Sequence, residues 1–412
     1  MLLDRYIAPK IDRLLALFPI VAIIGPRQCG KSTLSRQIRP DWRYYDLENP
    51  ADYRLVSEDP LAFFQLHPEH LIIDEIQQYP GLFGILRGVI DQGRGIKNRF
   101  ILTGSASPHL VKGISDSLAG RIATVELAPF KQGERFQRPF TPLYERLIDG
   151  TTQAGDLATL APVVSPLQSM QCWFQGGFPE PVLQTGEHPE FLSLWMENYI
   201  ANYIDRDVRA LFPRLNIHRF RRLLTLLAQF SGHQINMSAI ARALEVTVPT
   251  VKDYLDIIHQ TFIWRNLPPY TGNPLKKVQK ADKGWFRDPG LLHHQLKIPS
   301  LDALQLHPVA GFSFESFVSE ELIRGLQATL ATQIDFHYYR TQDRSEVDLV
   351  IDGPFGTLPV EIKLASQIRR QSLRGLSRFI QEMRCAYGIL VNRGPRIEQL
   401  TERIVQIPVH YL

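Results

Sequence analysis

The chain has 412 residues, which is too long for one typical domain and predicts two to four. Hydrophobic residues make up 44% and charged residues 21%, so a globular protein with buried cores is expected and a disordered one is excluded. The formal net charge of +4 is only mildly basic, so it permits a nucleic-acid partner without indicating one.

The three cysteines are far apart in the sequence and odd in number: Cys29, Cys172 and Cys385. A disulfide framework is therefore not expected, and a reducing compartment is indicated. The apolar stretch 14–24 is interrupted by Pro19, is shorter than the roughly 20 residues that a membrane span needs, and has no small-residue cleavage site. We expect a cytoplasmic protein without a membrane partner.

The first predicted element is a strand over the apolar residues 20–24, followed by the sequence GPRQCGKST. This spacing is that of a P-loop, in which Gly25 and Gly30 let the backbone turn its amide groups toward phosphate oxygens. Lys31 can reach the β- and γ-phosphates, and Ser32 can coordinate Mg²⁺. The alternative is an exposed turn with a lysine, but the strand before the loop and the amphipathic segment after it favour phosphate binding.

ATP and Mg²⁺ are therefore the expected cofactors, although the loop does not distinguish ATP from GTP. The predicted nucleotide-binding residues are Gly25, Pro26, Arg27, Gln28, Cys29, Gly30, Lys31, Ser32 and Thr33.

A buried parallel strand is predicted next, in the sequence LIIDE at residues 71–75. Its acidic residues follow the carboxyl end of the strand, where open α/β sheets bind ligands. We expect Asp74 to interact with the metal ion and Glu75 to be the base that activates water. The alternative is a strand that ends in a solvated acidic turn.

Another strand is predicted in RFILTGS, from residue 99 to residue 105. Thr103 or Ser105 could sense the γ-phosphate or the attacking water, or the hydroxyls could cap the next helix. Arg121, in the sequence LAGR, could stabilise transition-state charge as an arginine finger, in its own subunit or a neighbour's. The alternative for Arg121 is a surface salt bridge.

The segments GPRQCGKST, LIIDEIQQYP, FILTGSAS and LAGR, in this order, resemble the AAA-type P-loop ATPases of bacteria and archaea that carry a C-terminal domain of unknown function. Segments 198–208, 284–291, 314–318 and 344–350 are similar to landmarks of that domain. The resemblance implies an ATP-binding core with appended modules, without a substrate. It also makes a homo-oligomer plausible, since AAA-type sites often lie between subunits. Cys29 replaces an expected small aliphatic residue and favours thiol-sensitive activity.

Residues 237–267 have the order helix, turn, helix, strand, which is typical of a winged helix. The second predicted helix, from Val248 to Ile258, carries Asp253 and Asp256, which would repel a phosphate backbone. The presumed wing that follows could contact phosphate without reading sequence. Its lysines are Lys276, Lys277, Lys280 and Lys283. DNA or RNA is thus a candidate partner, and the sequence leaves that question open.

The C-terminal segment has the acid and E-x-K pattern of a restriction-endonuclease-like core. Glu361 and Lys363 are two residues apart on a predicted strand and face the same side. Asp348 and Glu361 could share a magnesium ion, and Glu315 on the preceding helix would complete its coordination shell. Lys363 could polarise the attacking water. The alternative is a strand with alternating surface charges.

The predicted fold class is α/β, with four parts. These are an AAA-type P-loop ATPase domain (1–135), a helical lid or linker region (136–235), a winged-helix-like module (236–295) and a restriction-endonuclease-like domain (296–412). Two functional hypotheses remain open. The chain is either an ATPase that acts on nucleic acid, with metal-dependent cleavage as one form of that action, or an ATP-dependent protein-interaction switch with an inactive nuclease-like domain.

Overall fold

The computed structural model describes residues 2–105, 116–186, 188–209, 212, 215–271, 281–341 and 346–412. The chain forms two compact units. One comprises Leu2–Pro129 with Gln260–Phe262, and the other comprises Phe130–His259 with Ile263–Leu412. The four-part division expected from the sequence stays a prediction.

The N-terminal unit is built on a parallel sheet whose described strands follow the order β2-β3-β4-β1-β5. The strands are β1 (Ile20–Gly25), β2 (Arg43–Asp46), β3 (Leu71–Asp74), β4 (Phe100–Ser105) and β5 (Ile122–Glu126). The helices are α1 (Ala8–Leu17), α2 (Lys31–Ile38), α3 (Pro50–Glu58), α4 (Pro60–Leu66) and α5 (Leu82–Gln92).

Strand β1 shows how this sheet is covered on both faces. Ile20 and Ala22 belong to one buried cluster, and Val21 and Ile23 belong to a second one. This alternation follows from the two-residue period of a strand, and apolar side chains on both faces are typical of a parallel sheet between helices. The α/β prediction is confirmed for this unit, and so are the predicted strands at 20–24, 71–74 and 100–105.

The C-terminal unit begins with helices. These are α6 (Gln132–Arg135), α7 (Leu143–Ile148), α8 (Pro166–Gln175), α9 (Pro179–Gln184), α10 (Phe191–Asn202) and α11 (Ile217–Phe230). A π-helical turn spans Tyr203–Val208. Leu143, Tyr144 and Leu147 of α7 are buried in the same core as the C-terminal sheet. The expected lid or linker region at 136–235 stays a prediction.

A helix-turn-helix follows, formed by α12 (Met237–Leu244) and α13 (Val248–Gln260). A small antiparallel sheet adjoins it, with the strand order β6-β8-β7. Its strands are β6 (His233–Gln234), β7 (Trp264–Leu267) and β8 (Lys283–Phe286). The predicted order of helix, turn, helix and strand is confirmed, and the winged-helix assignment stays a prediction. Lys276, Lys277 and Lys280 lie outside the described residues.

The last part contains a mixed sheet of order β13-β14-β12-β11-β10-β9. Its strands are β9 (Asp335–Arg340), β10 (Glu346–Gly353), β11 (Gly356–Ile362), β12 (Gly388–Asn392), β13 (Glu398–Thr401) and β14 (Ile404–Pro408). The helices are α14 (Pro289–Gln295), α15 (Leu301–Leu306), α16 (Ala310–Ala328) and α17 (Arg374–Glu382).

Helices α16 and α17 pack against opposite faces of this sheet. Phe314 of α16 shares a buried cluster with Leu349, whereas Phe379 of α17 shares another with Val350. Strands β10 and β11 form the predicted hairpin, in which Gly353 pairs with Gly356. The restriction-endonuclease-like assignment stays a prediction. No helix in the described ranges is long and apolar enough to cross a membrane.

Candidate nucleotide site and a carboxylate cluster

The predicted P-loop joins the end of β1 to the beginning of α2. A Cβ atom at Gly25 would collide with the carbonyl oxygen of Leu127, so the loop accepts only glycine there. Gly30 has a φ of 96° and is the N-cap of α2, a conformation that glycine adopts without a steric penalty. The two glycines therefore shape the loop that the sequence predicted.

Lys31 is held inside this loop. Its side chain is only 5% exposed, and its Nζ atom donates to the carbonyl oxygens of Pro26 at 2.9 Å and Gly25 at 3.3 Å. Arg27 pairs with Glu48 at 3.2 Å, whereas Gln28 and Thr33 are exposed. The ammonium group is thus held by carbonyl oxygens of the loop itself, and its contact with phosphate stays a prediction.

Cys29 is completely buried beneath the loop. Its thiol donates to the carbonyl oxygen of Leu127 at 3.3 Å, and burial raises its pKa. A buried thiol with a raised pKa is a poor nucleophile. The structure therefore gives no support to the thiol-sensitive activity expected from the sequence.

Asp74 ends β3 and receives hydrogen bonds from two hydroxyl groups. Thr103 donates to Oδ1 and Tyr44 donates to Oδ2. Burial raises the pKa of Asp74, and the nearby hydroxyl groups of Ser32 and Tyr44 oppose that rise. Ser32 in the first turn of α2 and Asp74 at the end of β3 are the two predicted ligands on the nucleotide side.

Glu75 follows with a φ of 51°, in the left-handed region. Its Oε2 atom accepts from the Ser105 hydroxyl at 2.9 Å and from the Gln77 amide. Burial opposes its ionisation, but the charge of Lys31 and these hydrogen bonds outweigh burial and lower the pKa of Glu75. The carboxylate is therefore ionised at neutral pH, as a base for water must be.

The structure gives Thr103 and Ser105 roles that the sequence did not suggest. Each binds one of the two acids: Thr103 binds Asp74 and Ser105 binds Glu75. The capping alternative concerns residues after 105, which lie outside the described residues. Arg121 donates two 2.9 Å hydrogen bonds to Asp91 on the surface. This is a surface salt bridge, the alternative to the arginine finger. Its role as an arginine finger stays a prediction.

Sequence reasoning missed Tyr44. The aromatic pair Tyr44-Tyr45 lies in the middle of β2, and in parallel register with β3 Tyr44 lies next to Ile72. A tyrosine near the carboxyl end of a neighbouring strand was the available signal, since polar groups gather at that edge of an open α/β sheet.

The residues at this edge of the sheet fit a magnesium ion that arrives with a nucleotide. Mg²⁺ is usually bound by one or two carboxylates, with phosphate oxygens and water completing its shell. Ser32 offers a hydroxyl and Asp74 a carboxylate. Asp74 and Glu75 are both hydrogen-bonded to β4, which pairs directly with β1 before the loop.

A second group of charged residues lies in the C-terminal unit. We call it the carboxylate cluster, and it consists of Glu315, Glu346, Asp348, Glu361, Lys283 and Lys363. Lys363 lies 2.5 Å from Oε1 of Glu361 and 3.6 Å from Oδ2 of Asp348. The structure therefore brings together the acids and the lysine of the predicted E-x-K pattern.

Lys283 was expected in an exposed wing, and that expectation is wrong. It is 2% exposed, contacts Glu315 through its ammonium group, and lies 3.4 Å from Glu346. The pairing of β8 with both β6 and β7 fixes its backbone inside the small sheet, so its side chain is buried. Lysine is rarely buried unless it is paired, and sequence alone did not reveal its partners.

Burial raises the pKa of Glu315 and of Glu361, each to about 8, and the charge of Asp348 adds to both shifts. Burial opposes the charge of Lys283, but Glu315, Asp348 and Glu346 outweigh it and raise its pKa. Both lysines therefore remain cations among acids that resist ionisation.

We compared the cluster with the requirements of a divalent metal. Glu361 is 6% exposed, and its Oε2 atom is buried without a hydrogen-bond partner, which leaves one acceptor available. Within the described ranges, however, no three His, Cys, Asp or Glu side chains are arranged to hold a metal ion. Lys283 contacts Oε1 of Glu315, so one oxygen of that predicted ligand already has a cation beside it, and the metal site stays a prediction.

Three family models match the chain. An AAA domain matches residues 17–136. Two domains of unknown function, DUF8612 and DUF4143, match residues 168–302 and 310–412.

Two curated relatives match over nearly the whole chain. They are uncharacterized proteins of Mycobacterium bovis and Mycobacterium tuberculosis, each 31% identical over 419 residues, which cover 99% of this chain and 84% of the relative. Among solved structures, a Walker-type ATPase of Pyrococcus abyssi is 14% identical and covers 72% of this chain and 96% of its own, with a TM-score of 0.46.

Proposed function

Since the chain belongs to the same family as these two mycobacterial proteins and carries an AAA domain, we propose that it binds ATP with Mg²⁺ and hydrolyses it. The observation that carries this proposal is the placement of two acids next to the P-loop. Asp74 and Glu75 accept hydrogen bonds from Thr103 and Ser105 of β4. Strand β4 pairs directly with β1, which leads into the loop, and Ser105 lies opposite Gly25. A protein that only bound phosphate would not need the second acid.

The proposed chemistry divides the work between these residues. The amide groups of the loop and the Lys31 ammonium bind the phosphates, and Ser32 and Asp74 would hold Mg²⁺, which neutralises phosphate charge. Glu75 accepts a proton from the attacking water, since its lowered pKa keeps it ionised. Ser105 holds that carboxylate through its 2.9 Å hydrogen bond.

Calorimetric titration with Mg²⁺ and ATP tests the binding half of this proposal. We expect Lys31→Ala to weaken binding at least about tenfold, because it removes a buried charge that contacts phosphate. Lys97→Ala, a change at an exposed lysine of the same unit, is the matched control and should bind as the wild type does. Equal binding by the two variants would refute the assigned site. GTP in a parallel titration establishes the nucleotide preference.

For the C-terminal unit we propose the second of the two hypotheses, an interaction module with an inactive nuclease-like domain that responds to ATP. The supporting observation is that Lys283, which is not part of the E-x-K pattern, pairs with Glu315, one of the predicted metal ligands. Asp253 and Asp256, both exposed on α13, also disfavour contact with a phosphate backbone.

If the C-terminal unit cleaves nucleic acid in the presence of a metal ion, the first hypothesis replaces this proposal. The test incubates the protein with DNA or RNA and Mg²⁺ or Mn²⁺, with and without ATP. We expect no cleavage. Cleavage that disappears in both Asp348→Ala and Lys363→Ala would establish a nuclease, whereas cleavage that survives both changes would come from a contaminant and leave the proposal standing.

A further inference from the structure

The cluster contains one residue that the nuclease-like pattern does not explain. Lys283 comes from the small sheet beside the helix-turn-helix, not from the six-stranded sheet or from α16. It nevertheless contacts Glu315 on α16 and lies 3.4 Å from Glu346 at the start of β10. Three separate elements therefore meet at one ammonium group.

Charge explains why such a cation is needed. Four carboxylates face two ammonium groups, so with every group ionised the cluster has a formal charge of about −2, and without Lys283 it would have about −3. Buried acids must be paired or protonated, because an isolated buried charge is very costly. Glu315 and Glu346 have Lys283 as their cation, and Glu361 has Lys363.

We infer that Lys283 is the resident cation of the carboxylate cluster, and that its ammonium group occupies the position a divalent ion would need beside Glu315 and so excludes that ion. Mg²⁺ and Ca²⁺ bind oxygen ligands at about 2.0–2.6 Å, which requires direct access to the carboxylate oxygens. Lys283 contacts Oε1 of Glu315 directly, so an ion that binds this oxygen would have to displace the ammonium group.

The unpaired Oε2 atom of Glu361 gives this inference a measurable consequence. That buried atom accepts no hydrogen bond, so the cluster retains an oxygen that could bind a cation once the Lys283 ammonium group is removed. An uncharged side chain at position 283 would free Oε1 of Glu315, and a divalent ion could then replace the ammonium group as the counter-charge of the buried acids. Because affinity for such ions rises with the number of charged ligands, that change converts the cluster into a divalent-cation site.

This inference rests on the proposal that the cluster does not cleave nucleic acid, and it is independent of ATP hydrolysis. Its test therefore uses nucleotide-free, full-length protein with Mn²⁺ as the probe, and electron paramagnetic resonance counts the ions bound per chain. Every protein in the series carries Asp74→Asn, which removes the acidic ligand of the nucleotide site. The series compares the parent with Lys283→Met, and with Lys297→Met as the same change at an exposed lysine of the same unit.

We expect the parent and Lys297→Met to bind no Mn²⁺ at this cluster up to about 1 mM, the weak end of protein calcium sites. Lys283→Met should gain one ion with at least tenfold higher affinity, and adding Glu315→Gln to it should abolish that ion. Mn²⁺ should also raise the melting temperature of Lys283→Met and of no other variant, since a ligand that binds the folded state stabilises it.

Two results would overturn the inference. One is Mn²⁺ binding by the parent that Glu361→Gln or Glu315→Gln removes, and the other is a folded Lys283→Met variant that gains no ion. If Lys283→Met does not fold, Lys283→Gln takes its place in the series, since it also removes the ammonium group. If the Mn²⁺ results contradict the inference and the wild type does not cleave nucleic acid, only the role of Lys283 is refuted. If the wild type cleaves nucleic acid, the proposal of an inactive domain is refuted.

Discussion

The Ser105 hydroxyl, at the end of β4, donates a 2.9 Å hydrogen bond to Oε2 of Glu75, just beyond the end of the neighbouring strand β3. This bond joins the two strand ends at the place where water would be activated. Ser105→Ala should lower kcat for ATP by about tenfold or more, because a hydrogen bond to a charged group contributes about 1.5–3 kcal/mol. ATP affinity should remain unchanged.

Steady-state hydrolysis together with an independent binding titration makes this measurement. Ser105→Thr is the control, since it keeps the hydroxyl and should retain most of the wild-type rate. A Ser105→Ala enzyme with unchanged kcat would show that the bond does not position Glu75.

Tyr44 is predicted to influence the metal requirement. Its hydroxyl donates to Asp74, so Tyr44→Phe leaves that buried carboxylate with one donor fewer. We expect a roughly tenfold higher Mg²⁺ concentration for half-maximal hydrolysis, which corresponds to the loss of about one hydrogen bond. Tyr45→Phe is the matched control, because the Tyr45 ring packs 5.0 Å from that of Phe63 and should tolerate the change. An identical Mg²⁺ dependence in the two variants would exclude the role of Tyr44.

The N-terminal site was largely predictable from the sequence because local patterns determine it. The glycine spacing of the P-loop and the apolar run before Asp74 both depend on neighbours along the chain, and the structure places them as strand, loop and helix. Tyr44 was missed because its contact with Asp74 depends on how β2 pairs with β3, and the sequence does not state strand order.

The C-terminal unit was harder to predict for the same physical reason. Asp348, Glu361 and Lys363 were found because they lie on two strands of one hairpin with a two-residue period. Lys283 was assigned to a wing because lysines are usually exposed, whereas here two carboxylates from distant segments neutralise it. Pairing between residues distant in sequence decided its position.

Glu320 is predicted to be a main stabilising residue of the C-terminal unit. It is 2% exposed and pairs with three arginines: Arg265, Arg287 and Arg324. Glu320→Gln should lower the free energy of unfolding by about 3–5 kcal/mol, because it leaves those cations without their counter-charge. Glu382→Gln, which breaks an exposed pair with Arg378, should change it by less than about 1 kcal/mol. Urea unfolding at pH 7 measures both, and equal stabilities would refute the assignment.

The same glutamate gives a pH dependence with a definite sign. Burial opposes its ionisation, but the three arginines outweigh burial and hold the pKa of Glu320 well below its ordinary value of 4.5. A lowered pKa in the folded state stabilises the protein above the unfolded-state pKa, and that contribution disappears as the pH falls further. Below pH 4.5 the wild type should therefore lose stability more steeply than Glu320→Gln. Parallel acid-unfolding curves would contradict this.

The most direct test of the central proposal measures both the ATP turnover and the ATP affinity of Glu75→Gln. Glutamine keeps the size of the side chain but cannot accept a proton from water. We predict that the variant binds Mg²⁺ and ATP as tightly as the wild type and that its kcat falls by about 10²-fold or more, within the range for loss of a general base. Hydrolysis at the wild-type rate by a variant that binds ATP normally would show that Glu75 is not the base and would contradict the proposed site.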